Sequence, residues 1–142
     1  MLECLILGDS IAVGIGQYRP DCATIAKVGI TSQNWLKSYQ IHPTFNRPYK
    51  VVIISLGSND YRNSTAEFLY DLRLKAKADM VVWILPSLSL KPIQRAIIRE
   101  IANEFHDKIL DIAHHKMSHD GIHPTGQGYI ELGKAINNLS NR

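Results

Sequence analysis

Leu5-Ile6-Leu7-Gly8-Asp9-Ser10, near the amino terminus, is the stretch that decides the fold class. Its three consecutive apolar residues are typical of a strand that is covered on both faces, as strands in parallel sheets are. Gly8 ends the apolar run, and serine is a residue type favoured at the start of a helix. The stretch therefore predicts a buried strand that turns directly into a helix, as an α/β unit does.

The same alternation of apolar runs and helix-like segments continues along the chain. We predict five strands, at Leu2–Leu7, Cys22–Val28, Val51–Leu56, Met80–Leu85 and Lys108–Ile112. Strands that alternate with helices indicate an α/β sandwich around a mostly parallel sheet. A length of 142 residues is typical of one domain, so we expect a single domain over 1–142.

Helix signals lie between the predicted strands. Ser64-Thr65-Ala66-Glu67 resembles a capping box, and Pro92 suits a first helical position. Apolar residues then recur at helical spacing in three segments: Leu69, Leu72 and Ala76; Ile93, Ile97, Ile101 and Phe105; Tyr129, Leu132, Ile136 and Leu139. A further helix is predicted after Thr31, with Trp35 as a core side chain that is also a candidate to line a cleft.

Composition narrows the class of protein. The net charge is +3 and the cations are scattered, whereas nucleic-acid binding predicts a dense basic patch. No apolar run reaches membrane-spanning length and no signal peptide is visible, so we expect a soluble, cytoplasmic protein with no membrane partner.

Two cysteines do not make a disulfide framework, and we expect Cys4 and Cys22 to be buried and reduced.

Residues whose side chains or backbone amides could take part in a reaction follow four of the five predicted strands. They are Gly8-Asp9-Ser10, Gly29, Gly57-Ser58-Asn59-Asp60 and Asp120-Gly121-Ile122-His123-Pro124. Ligand sites in α/β sheets lie at the carboxyl ends of the strands, so these segments are expected to converge. Together they contain a hydroxyl, an imidazole, a carboxylate and several hydrogen-bond donors, which are the groups that acyl transfer needs.

Asp120 and His123 are the most informative pair in this set. A carboxylate three residues before an imidazole can meet it within one turn, and Pro124 restricts the backbone of His123. An aspartate that orients a histidine is half of a catalytic triad. The simpler interpretation is a polar loop that caps the last helix.

Taken together, the four segments resemble the motif blocks of the SGNH or GDSL-type hydrolases, with Ile11 in place of the usual leucine. The resemblance implies a flavodoxin-like three-layer α/β/α sandwich with a five-stranded, mostly parallel sheet. It implies Ser10 as nucleophile, His123 as general base and acid, and Asp120 as its orienting group. The Ser10 amide, the Gly29 amide and the Asn59 side chain would form the oxyanion hole. No metal or other cofactor is implied.

The expected function is therefore hydrolysis of a carboxylic ester, with a small acyl ester or an O-acetylated carbohydrate as substrate. The chain is short for the family, which suggests an open site without long substrate loops. Two alternatives remain at this stage. One is an inactive protein of the same fold that binds glycans. The other is a metal-binding protein that uses His115, His119 and His123, with His114 beside them.

Overall fold

Strands and helices alternate throughout the computed structural model, which describes residues 2–61, 65–86 and 91–140. In those residues the strands are β1 (Leu2–Gly8), β2 (Ala23–Ala26), β3 (Tyr49–Ser55), β4 (Ala78–Leu85) and β5 (Lys108–Asp111). The α-helices are α1 (Ser10–Gln17), α2 (Ser32–Tyr39), α3 (Thr65–Lys75), α4 (Pro92–Phe105) and α5 (Gly126–Ser140). A short 3-10 helix, Ile112–His114, follows β5. Each predicted strand is present, with its ends shifted by a few residues.

The five strands form one parallel sheet in the order β2-β1-β3-β4-β5. This order belongs to the flavodoxin-like α/β folds, so the predicted fold class is confirmed. In the register, Leu7 of β1 lies opposite Ile25 of β2 and Ile54 of β3. Because β1 lies between β2 and β3, the loop that contains Ser10 lies between the loops that contain Gly29 and Asn59.

Successive side chains of each strand point to opposite faces of the sheet, which gives the molecule two apolar layers. On one face, Leu5 and Leu7 of β1 pack with residues of α2, α3 and α4. On the other face, Ile6 packs with residues of α1 and α5. The three-layer α/β/α arrangement follows directly from this alternation.

Helix α4 buries most of the stripe that its sequence spacing predicts, but not the first residue of that stripe. Ile101 is buried and Ile97 and Phe105 pack against the core, whereas Ile93 is 55% exposed and Ile98 is buried in addition. A spacing of four residues exceeds the 3.6 residues of a helical turn, so a four-residue stripe drifts around the helix. Helix α4 begins at Pro92, as predicted. The capping-box residue Ser64 lies outside the described residues.

The expectation that Cys4 and Cys22 are reduced is wrong, because the structure contains a disulfide bond between them. Leu5 pairs with Ala23 across β1 and β2, and this register brings the preceding cysteines together with their Cα atoms 4.8 Å apart. That separation is within the usual range for a disulfide. Disulfides persist in oxidising compartments and are rare in the cytosol, so the disulfide does not favour the expected cytoplasmic location, which stays a prediction.

None of the helices in the described ranges combines the length and the apolar character that crossing a bilayer requires.

Candidate active site

Ser10 is the first residue of α1 and follows a tightly packed turn at the end of β1. Gly8 has φ of +140°, and a Cβ atom there would lie 1.8 Å from the carbonyl oxygen of Ser55 in β3. Only glycine fits such a position. The Asp9 carboxylate then caps α1 by accepting a hydrogen bond from the Ile11 amide. The turn thus places the Ser10 side chain at the carboxyl edge of the sheet.

The structure brings Ser10, His123 and Asp120 into one hydrogen-bonded row. Ser10 Oγ lies 2.8 Å from His123 Nε2, although the two residues are 113 positions apart in the chain. On the other side of the ring, His123 Nδ1 lies 2.7 Å from Asp120 Oδ2. With the ring proton on Nδ1, Nε2 is free to accept the proton of the Ser10 hydroxyl. A hydroxyl, an imidazole and a carboxylate in this order are the groups of a serine nucleophile and its base.

Asp120 is held by its own loop as well as by the histidine. Its Oδ1 accepts hydrogen bonds from the Ile122 amide, the His123 amide and the Ser118 hydroxyl. The hydrogen bond with the His123 ring, followed by those of the two amides, holds the pKa of Asp120 far below its usual range. The carboxylate therefore stays ionised at neutral pH and favours the imidazolium form that proton transfer to His123 would create.

Gly29 and Asn59 lie in neighbouring loops that contact each other. Gly29 has φ of +79° in a turn closed by the Ile30 amide and the Lys27 carbonyl, a conformation that favours glycine. Space around its Cα is open, so its backbone is accessible. The Asn59 side chain donates through Nδ2 to the Ile30 carbonyl, with a separation of 3.1 Å. The structure thus joins the Asn59 side chain to the residue that follows Gly29.

The site is open to solvent at the histidine. The side chains of His123 and Asp120 are 39% and 46% exposed, respectively. The His123 ring is therefore accessible to solvent, and the open substrate site expected from the short sequence stays a prediction.

The histidines of the alternative metal site have different partners. His115 Nδ1 lies 4.0 Å from a carboxylate oxygen of Glu131 in α5, whereas His123 contacts Ser10 and Asp120. Within the part of the chain that the structure describes, one group of three potential metal ligands lies close together, namely Cys4, Asp21 and Cys22. The two sulfur atoms of that group are joined in the disulfide.

Some polar residues that support the site were not predicted from the sequence. Ser118 is one of them, although a serine two residues before an aspartate is a common turn signal. Ser55 is another: its hydroxyl donates to Asp9 Oδ1, with a separation of 3.1 Å. Asp9 itself was treated as part of a motif and is fully buried.

Trp35 belongs to the core and does not line a cleft. It is fully buried, packs edge-on against Phe45, and donates its indole N–H to the Ile25 carbonyl. Its position soon after Gly29 in sequence gave no information on which way the ring would face.

No protein-family model and no curated protein sequence matches this chain. Solved structures are similar to it at low sequence identity over nearly the whole length. One is a member of the lipolytic G-D-S-L family from Veillonella parvula, with a TM-score of 0.70, 17% identity and full coverage of both chains. Another is a carbohydrate acetylesterase from Sinorhizobium meliloti, with a TM-score of 0.64, 15% identity and 99% coverage of each chain. A member of a carbohydrate acetylesterase family from the same organism gives a TM-score of 0.65 at 13% identity, covering 96% of each chain. The chain therefore has the fold of the GDSL or SGNH hydrolases.

Proposed function

We propose that this protein is a serine esterase that hydrolyses carboxylic esters through an acyl-enzyme, with Ser10 as nucleophile, His123 as general base and Asp120 as its orienting group. The observation that carries the proposal is the contact of 2.8 Å between Ser10 Oγ and His123 Nε2, with Asp120 2.7 Å from the other ring nitrogen. Solved structures of the same fold include esterases, which supports the same reaction class.

The first half of the proposed reaction forms the acyl-enzyme. His123 Nε2 takes the proton of the Ser10 hydroxyl while Oγ bonds to the ester carbonyl carbon. The carbonyl oxygen gains negative charge and accepts hydrogen bonds from the Ser10 amide, the Gly29 amide and the Asn59 side chain. The bond from carbon to the alcohol oxygen then breaks, and the alcohol leaves with the proton held by His123.

The second half repeats this chemistry with water. His123 takes a proton from a water molecule, and the hydroxyl bonds to the acyl carbon. The bond to Ser10 Oγ breaks, and Oγ recovers its proton from His123. A carboxylic acid leaves and the enzyme returns to its starting state.

The proposed substrates are short acyl esters, including O-acetyl groups on carbohydrates. The exposed His123 ring is on the side where the alcohol must leave, so a large alcohol portion can extend into solvent. Two similar structures are described as carbohydrate acetylesterases or members of such a family, which supports the same substrate class.

The proposal is tested with p-nitrophenyl acetate as substrate. Wild-type protein is expected to release p-nitrophenol, and Ser10→Ala is expected to reduce turnover by at least about a thousandfold because the nucleophile is lost. Ser38→Ala, at an exposed serine of α2, is the matched control and should keep wild-type activity. A fluorophosphonate probe should label wild type and Ser38→Ala, but not Ser10→Ala.

Two results would contradict this function. One is a Ser10→Ala variant that has the wild-type circular dichroism spectrum and still hydrolyses the ester at the wild-type rate. The other is wild-type protein that turns over no member of a panel of acetylated sugars, short acyl esters and thioesters.

A further inference from the structure

Ser55, the last residue of β3, has a buried hydroxyl that the proposed reaction does not use. The residue is 1% exposed and contacts Asp9 at two points. Its carbonyl oxygen accepts a hydrogen bond from the Asp9 amide at 2.9 Å, and its hydroxyl donates to Asp9 Oδ1 at 3.1 Å. The end of β3 therefore fixes both the backbone and the side chain of the residue that precedes Ser10.

The Asp9 carboxylate extends this connection to the residue that follows Ser10. The same oxygen, Oδ1, also accepts a hydrogen bond from the Ile11 amide at 3.1 Å. One carboxylate oxygen thus joins β3 to the first turn of α1. Ser10 lies between Asp9, which carries this oxygen, and Ile11, which donates to it. The second oxygen, Oδ2, is buried without a hydrogen-bond partner.

We propose that Asp9 and Ser55 are positioning residues for the nucleophile, and that the ionised Asp9 carboxylate, held by the Ser55 hydroxyl and the Ile11 amide, sets the turn that presents Ser10 Oγ to His123. This inference rests on the proposed esterase function. It predicts that protonation of Asp9 lowers the esterase activity on the acidic side of the pH profile.

The surroundings of Asp9 give the direction of this pH dependence. Burial raises the pKa of Asp9 to about 6, and the Ser55 hydrogen bond acts in the opposite direction. Protonation makes the carboxyl group a weaker acceptor, so both hydrogen bonds at Oδ1 weaken as the pH falls through that value.

Two other groups near Asp9 respond differently to pH. Burial, followed by the negative charges of Asp9 and Asp120, raises the pKa of Tyr129 in α5 to about 12, so this phenol stays neutral throughout the working range. His123 is reached through Ser10 and is the proposed base. The test must therefore isolate the protonation of Asp9.

The experiment compares pH profiles of kcat/KM for p-nitrophenyl acetate between about pH 5 and pH 9. Ser55→Ala removes a hydrogen bond that lowers the pKa of Asp9, so we expect the midpoint of one acidic step to rise by about one pH unit. At high pH, kcat should fall about tenfold while KM changes little. Ser55→Thr keeps the hydroxyl and is expected to restore the wild-type profile. Asp9→Asn should abolish that step.

Ser32→Ala is the matched control. Ser32 is also a buried serine whose hydroxyl donates to a buried carboxylate, Asp60, at 2.5 Å. Its loss should leave the acidic midpoints where they are. If Ser55→Ala and Ser32→Ala shift the profile equally, or if neither shifts it, the positioning role is contradicted.

A measurement without substrate separates this inference from the proposed function. The backbone amide resonance of Ile11 should titrate with a midpoint near the Asp9 pKa in wild type, and at higher pH in Ser55→Ala. A flat Ile11 titration in wild type overturns the inference even if the protein is an active esterase. Wild-type protein with no turnover contradicts the esterase, whereas an Ile11 titration that moves in Ser55→Ala still supports the link between Asp9 and Ser55.

Discussion

The Asn59 side chain shows how one residue can serve both the structure and the proposed reaction. A side-chain amide carries two N–H donors, and one of them contacts the Ile30 carbonyl. In the proposed reaction, the second donor would bind the developing oxyanion. The hydrogen bond to Ile30 also fixes the orientation of the amide, so the free donor points in a set direction before substrate arrives.

Replacing Asn59 with alanine is therefore expected to reduce kcat by about a hundredfold or more, with little change in KM. The donor matters chiefly when the carbonyl oxygen becomes charged, and steady-state kinetics with p-nitrophenyl acetate measure this directly. Asn59→Asp keeps the shape of the side chain but supplies no donor when ionised, so it should resemble Asn59→Ala. If the effect of Asn59→Ala appears only in KM, the oxyanion role is wrong.

At the scale of elements, the pairing of β1 with β2 explains the disulfide. The register Leu5–Ala23 places Cys4 and Cys22 side by side, and the bond closes a loop with a sequence separation of 18. That loop contains α1 and therefore Ser10. The bond itself lies in the amino-terminal half of β1, whereas the candidate site lies beyond its carboxyl end at Gly8.

Reducing this disulfide is expected to lower the free energy of unfolding by about 3 kcal/mol. A crosslink that closes a loop of this length lowers the conformational entropy of the unfolded chain, and reduction restores that entropy. Urea denaturation with and without a phosphine reductant measures the difference. The double variant Cys4→Ala/Cys22→Ala should show a similar loss and no response to the reductant. Because the bond is distant from the site, kcat of the reduced protein at a temperature where it stays folded should match that of the oxidised protein. A large fall in kcat would show that the crosslink also shapes the site.

Polar residues connect the elements around the apolar layers. Arg95 of α4 is buried and pairs with Asp111 at the end of β5, with a closest separation of 2.6 Å. A second, partly buried arginine–aspartate pair, Arg73 and Asp107, joins α3 to the loop after α4. Buried ion pairs contribute little net stability compared with apolar residues, but loss of one partner leaves an uncompensated charge. These pairs therefore restrict how α3 and α4 can lie on the sheet.

The burial of Asp9 should make the free energy of unfolding of the whole molecule depend on pH. Its pKa is raised in the folded state to about 6 from an ordinary value near 3.8. The folded protein therefore binds this proton more tightly than the unfolded chain does. The resulting stabilisation is complete below the unfolded pKa and is lost as the pH rises through the folded pKa.

The free energy of unfolding of wild type, measured relative to Asp9→Asn, is thus expected to fall by about 2 kcal/mol between pH 4 and pH 8. Asparagine keeps an oxygen acceptor for Ile11 and Ser55, and the subtraction removes the titration of groups that both proteins share. Chemical denaturation at several pH values provides the measurement. A difference that does not vary with pH would show that Asp9 titrates normally in the fold.

The sequence alone determined the fold class and the identity of the residues that meet at the sheet edge. Apolar runs such as Val51–Leu56 reveal buried strands because such strands need apolar side chains on both faces. The strand-to-helix turn at Ser10 and the short spacing between Asp120 and His123 are local features, so the sequence carries them directly.

Tertiary structure decided everything that depends on contacts between distant segments. Folding brings Ser10, which follows β1, to His123, which follows β5, although β3 and β4 lie between these strands. The β1–β2 register joins Cys4 to Cys22 against the expectation that both are reduced. Packing also determined which residues of α4 are buried, and it placed Ser55 beside Asp9. The physical reason is the same in each case: periodicity reports the environment of a residue, whereas its partner is fixed only when strands pair and layers pack.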